Sequence, residues 1–155
     1  MLIRSLLMTV IVFAAQGGQP ASDFALRFDH KGCHFEYLDT FKGTYSHVGA
    51  TAPVPFVLSD EQRVRILNAV VAANFFELPV TTEADEGEPA DTWELEVRNA
   101  GRRHSVTWRV GSKGHAPRAL LDLQRTILDV ILTHPALRLL PLRGDGCVGG
   151  PPKVR

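Results

Sequence analysis

The stretch Trp93-Glu94-Leu95-Glu96-Val97-Arg98-Asn99-Ala100-Gly101-Arg102-Arg103-His104-Ser105-Val106-Thr107-Trp108-Arg109-Val110 is the clearest β-hairpin in the chain. Trp93, Leu95 and Val97 alternate with Glu94, Glu96 and Arg98, the period of two that a half-buried strand requires. Asn99, Ala100 and Gly101 supply the turn, and His104, Val106, Trp108 and Val110 return on one face. Trp93 and Trp108 should face or neighbour each other across the hairpin. They are expected as core rather than as a ligand platform.

Upstream, residues 22–30 alternate Phe24, Leu26 and Phe28 with Asp23, Arg27 and Asp29, a second half-buried strand. Lys31 and Gly32 turn the chain, and residues 34–40 read as another strand with Phe35 and Tyr37 on one face. Phe41, Lys42 and Gly43 mark a turn or bulge, after which residues 44–48 continue or pair back. Pro53 and Pro55 limit residues 56–58 to a short edge strand.

Two helices complete the pattern. Ser59 with Gln62 three residues later forms a capping box, and Asp60 and Glu61 suit the positive first turn. Val64, Leu67, Val70, Val71 and Asn74 then share one side, with Glu61 and Arg65 as an i,i+4 pair outside. Phe75, Phe76 and Leu78 follow as an apolar plug closed by Pro79. The second helix opens at Pro117 and carries Leu120, Leu123, Ile127 and Ile131 as a stripe widened by Leu121, Leu128 and Leu132. Arg118, Asp122, Arg125, Asp129 and Thr133 line its other side, and Pro135 stops it before a short apolar return at residues 137–142. Residues 81–91 read as an acidic solvated loop, and residues 144–155 as a flexible tail. The order of strands, helix, hairpin and helix predicts an α+β domain over residues 22–143. Its antiparallel sheet has about four to six strands, with two helices, at about 60–74 and 117–134, packed on one face.

The first 17 residues read as a secretory signal. Arg4 gives the positive start, residues 6–15 the apolar run, and cleavage falls after Gly17 or Ala14. No cysteine follows that run directly, so a lipid anchor is not expected, and the product should be a soluble secreted or periplasmic monomer. Lys plus Arg and Asp plus Glu each number 17 in 155 residues. Such balance offers no basic stripe for nucleic acid, and nothing after the leader is long and apolar enough for a transmembrane span.

In an oxidising compartment Cys33 and Cys147 are read first as a disulfide. Closing a loop of 114 positions would contribute about 4–5 kcal/mol in the chain-entropy description. A free or intermolecular thiol and a metal site are the competing readings. His30, Cys33 and His34 form an H-x-x-C-H cluster that Cys147 could complete around zinc, although the spacing lacks a paired C-x-x-C. The acidic loop lacks the calcium-loop spacing, and no serine lies in a nucleophile elbow. No cofactor and no catalytic residue are therefore expected.

Asp39-Thr40-Phe41-Lys42-Gly43-Thr44-Tyr45, Leu58-Ser59-Asp60-Glu61, Phe75-Phe76-Glu77-Leu78-Pro79, Trp108 and Leu140-Pro141 together resemble a group of small uncharacterised bacterial secreted proteins and lipoproteins. The resemblance spans residues 23–148 and implies a single α+β domain with an export signal, but no activity. Read physically, the first motif is strand, Gly43 turn and strand, with Phe41 and Tyr45 expected in the core. Asp39, Lys42 and Tyr45 are the candidate binding residues, because binding groups concentrate on loops held by rigid scaffolds. Three functions follow from these residues. The first is a non-catalytic exported domain that binds a protein or cell-envelope component. The second is a secreted enzyme inhibitor presenting loop 39–47 or 81–91. The third is a metal-dependent enzyme using His30 and His34. Thiol titration of the exported protein checks the cysteine reading: no reactive thiol is expected, and two would overturn both the disulfide and the export it assumes.

Overall fold

The computed structural model of the chain describes residues 20–31, 36–81, 91–110 and 116–140. The proposed leader, the tail at 144–155, Cys33, His34, Cys147 and most of the acidic loop lie outside them. Six strands form one sheet: β1 (Ala25–Lys31), β2 (Glu36–Asp39), β3 (Thr44–His47), β4 (Val54–Pro55), β5 (Asp91–Asn99) and β6 (Arg102–Val110). Their order is β4-β3-β2-β1-β5-β6, and every neighbouring pair is antiparallel. Helices α1 (Asp60–Ala72) and α2 (Arg118–Thr133) complete the α+β domain.

Alternation assigns each side chain to a face. The central row Tyr45, Leu38, Phe28, Leu95, Val106 runs straight across β3, β2, β1, β5 and β6, and every member is wholly buried. Ile66, Leu67 and Val70 of α1 and Leu120, Leu123, Ile127, Val130 and Ile131 of α2 join that row in one continuous core. Both helices thus close the same face, and most of the charged groups are left to the other. The Trp108 indole N–H donates to Gln124 Oε1 at 3.0 Å, fixing α2 over the hairpin. Trp93 and Trp108 are a register pair with ring centroids 6.5 Å apart, as the alternation predicts.

Local chemistry explains the boundaries. The Ser59 hydroxyl accepts from the Gln62 amide and the Gln62 side chain accepts from the Ser59 amide, completing the capping box. Ala100 and Gly101 have φ of 51° and 74°, the two positive angles of a tight hairpin turn whose twist matches its strands. The Asp23 carboxylate accepts from both of their amides, at 2.8 and 2.9 Å. Those bonds, that from Gly101 first, hold its pKa below the ordinary 3.8.

Several expectations change in detail. Tyr37 lies on the helix-free face, while Leu38 takes the core position of β2. On α1 the buried line runs through Ile66 rather than Val71, which is exposed. Arg65 pairs with Asp129 of α2 at 3.0 Å, so it bridges the helices instead of stapling its own turn to Glu61. The edge strand falls at Val54–Pro55, and Phe56 beyond it is a buried anchor that stacks on His134. Pro135 opens a 3-10 turn over Pro135–Leu139, where the short apolar return begins. Thr81 forms a parallel bridge with Thr107, whose amide donates to the Val80 carbonyl at 2.8 Å.

Leu95→Ala should cost about 2–5 kcal/mol, read from urea unfolding, because it empties the middle of the central row. Asp23→Asn checks the turn in a different way. A carboxylate with a depressed folded pKa stabilises above its unfolded value and loses that contribution as pH falls through the folded one. The variant's deficit in unfolding midpoint should therefore be present at neutral pH and vanish in strong acid.

Candidate functional site

The helix-free face carries charge in two layers. Register places Thr44, Asp39, Arg27, Glu96 and Ser105 in one row, and Ser46, Tyr37, Asp29, Glu94 and Thr107 in the next. Arg27 lies 3.7 Å (Nε) from Asp39 Oδ2 and 3.3 Å (Nη1) from Glu96 Oε2, while Arg103 Nε donates to Glu96 Oε1. Lys42 Nζ lies 3.7 Å from Asp39 Oδ2. The side chains of Asp39 and Glu96 are 0% and 9% exposed, against 35%, 65% and 70% for Arg27, Arg103 and Lys42. Carboxylates thus form the floor and cations the outer surface.

The same stratification continues along the sheet. Lys31 Nζ lies 3.6 Å from Asp29 and 3.0 Å from Glu94. Its pKa is raised, chiefly by the hydrogen bond to Glu94. Asp29 is pushed above the ordinary carboxylate value because desolvation outweighs the pull of Lys31. Tyr37 is raised by desolvation and by the bond its hydroxyl donates to Asp39 at 3.1 Å.

The β2–β3 turn folds down onto this face. The Thr40 hydroxyl donates to the Leu26 carbonyl at 3.0 Å and accepts from the Leu26 amide at 2.7 Å, extending the β1 ladder into the turn. Gly43 adopts φ 68°, and its carbonyl accepts from Phe56 N at 2.8 Å. Phe41, held between these anchors, has three guanidinium carbons around its ring: Arg98 at 5.0 Å, Arg103 at 5.9 Å and Arg27 at 6.0 Å. Arg98 and Arg103 are direct cross-strand partners on this face. Like charges so placed repel.

Of the three proposed binding residues, the structure brings Asp39 and Lys42 together in this cluster. Tyr45 lies on the opposite face, wholly buried against Phe56. Phe41, expected in the core, is instead a half-buried aromatic of the open face. Arg27, Glu96, Arg98 and Arg103 were missed as a group. Their signal was present in the alternation, which puts the charges of β1 and β5 on the face that the apolar residues leave.

His30 sits on the covered face, buried and stacked flat on Trp93 with centroids 3.7 Å apart. It belongs to a row with Glu36 and His47, both buried as well. The His47 Nδ1–H donates to the Val48 carbonyl at 2.6 Å. Among the described residues no group of three His, Cys, Asp or Glu side chains is placed to hold a metal ion, and His34 and Cys33 lie outside them.

Two pockets lined by described residues are small. One of about 130 Å³ lies between Phe24, Thr40, Gly43, Phe56 and Arg63, and another of about 180 Å³ between Val70, Phe76 and Arg102. Both fall below the roughly 300–1,000 Å³ of a small-molecule site. No described helix is long and apolar enough to cross a membrane. A scan against protein-family models finds no match, and no curated protein sequence matches the chain significantly.

Arg27→Met should destabilise the fold by about 2 kcal/mol in urea unfolding, because it strips a guanidinium from the buried Asp39 carboxylate. Asp39→Asn added to that variant should recover part of the loss, since position 39 then carries no buried charge to be matched.

Proposed function

We propose that the chain is an exported, non-catalytic domain, secreted or periplasmic, that binds a protein or cell-envelope component through the helix-free face of its sheet. The observation that carries this reading is the turn aromatic Phe41, set among Arg27, Arg98 and Arg103 above a buried carboxylate floor. Aromatic and arginine side chains grouped on a rigid surface are the usual centres of protein recognition. The cluster rests on three strands and a pinned turn, so binding would order little that is not already ordered. An inhibitor would use a loop that projects into an active site, whereas the 40–43 turn lies against its own sheet.

Affinity capture from envelope and medium fractions with the mature chain tests the proposal, with an Arg103→Glu/Lys42→Glu variant alongside. Specific recovery by the wild type and loss by the variant are expected. Repeated recovery of no specific component, or equal recovery by both proteins, would overturn it.

A further inference from the structure

We infer that the Phe41 corner of the open face is a docking site for an extended, carboxylate-rich protein segment, an inference that rests on the open face being the binding surface. Three guanidinium groups, of Arg27, Arg98 and Arg103, surround the ring, Lys42 Nζ lies beside Asp39, and the nearby acids are Asp39, Glu96 and Asp23. Asp39 and Glu96 lie beneath the cations with almost no contact with solvent. The Asp23 carboxylate is taken up by the hairpin amides. An approaching partner therefore meets guanidinium and ammonium groups first.

Two further features point the same way. Arg98 and Arg103 stand directly opposite each other across β5 and β6, an arrangement that repels until an anion lies between them. Glu96 accepts from Arg103, and the Arg98 Nε–H donates only to the Asp23 carbonyl among the described residues. A carboxylate reaching Arg98 would meet a planar fork suited to bidentate pairing. Phe41 decides between anion classes. A phosphate-bearing polymer calls for a continuous basic stripe, but here the cations ring one apolar surface. That matches a peptide alternating acidic and apolar side chains, with an apolar group on the ring and carboxylates on the arginines.

Panning a random peptide library against the folded chain, followed by fluorescence anisotropy with the enriched peptides, tests this. Enriched peptides should be rich in Asp and Glu with at least one apolar residue, and their binding should weaken steeply with salt. Replacing their acids by amides should weaken binding about tenfold or more, as should Phe41→Ser or Arg98→Gln in the protein. Lys42→Gln, a neutral change on a side chain that is 70% exposed, should do the same and covers the event that Phe41→Ser fails to fold. Arg125→Gln on the outer side of α2 should change nothing. Enrichment of neutral or basic peptides, no enrichment, or acidic peptides indifferent to all three variants would overturn the inference. So would binding of polyphosphate or anionic lipid vesicles without binding of peptides. An envelope partner captured through the open face, yet indifferent to Phe41→Ser and Arg98→Gln, would sink this inference and leave the broader reading standing. Acidic peptides that bind while no envelope component is captured would do the reverse.

Discussion

The register of β1 is the constraint on which the rest of the molecule depends. This strand is paired along its length with β5 and from Arg27 to His30 with β2, so that Phe28 stands opposite Leu38 on one flank and Leu95 on the other. A slip of one residue would turn Arg27 and Asp29 toward the helices and bring Leu26, Phe28 and His30 out into water. Neither alternative is tolerable, because the core would receive charges without partners and lose two of its largest apolar contributors. One strand with a strict alternation thus sets the faces of four others. It also dictates where the helices can lie.

The open face follows from the same alternation. With every apolar position committed to the helices, Arg27, Asp39, Glu94 and Glu96 must share a surface, and neighbouring strands bring opposite charges into one row. Burial of Asp39 is tolerable because the Tyr37 hydroxyl and the Lys42 amide donate to it, and burial of Glu96 because Arg103 donates to it. Thr40 then adds a feature that charge pairing does not require. Its hydroxyl, bonded in both directions to Leu26, draws the turn down so that an aromatic ring sits among cations. Stability alone would favour a neutral pair in place of Arg98 and Arg103. Their opposition is the local rule that this sheet breaks.

Much of the fold was legible because its signals are local. The 93–110 hairpin, the Ser59 capping box and the wide stripe of α2 each contain their own period or cap within a few residues. What escaped depends on phase. Residues 34–40 contain Phe35, Tyr37 and Leu38, so either face of β2 could be apolar, and only pairing with β1 selects Leu38. On α1, lines through Val64 and Val71 or through Ile66 and Val70 both fit a helix, and the sheet beneath chooses the second. Arg65 finds its partner on α2, a contact that sequence spacing within one helix cannot reveal. Asp39 and Lys42 were readable as turn residues. The place of Phe41 on the open face was not, since it depends on the turn folding over the sheet rather than extending it.

The small parallel bridge at Thr81 has a consequence for how this molecule can meet others. At one border of the sheet, β4 is two residues long and includes Pro55, which has no amide to offer an incoming strand. At the other border the outward amide of Thr107, midway along the far half of β6, is already taken by Val80. A strand arriving at either side would find no uninterrupted ladder to extend. Sheet-to-sheet growth into fibrils is thereby discouraged. It also means that, among the described residues, the borders of the sheet offer other molecules side chains rather than an unbroken run of backbone.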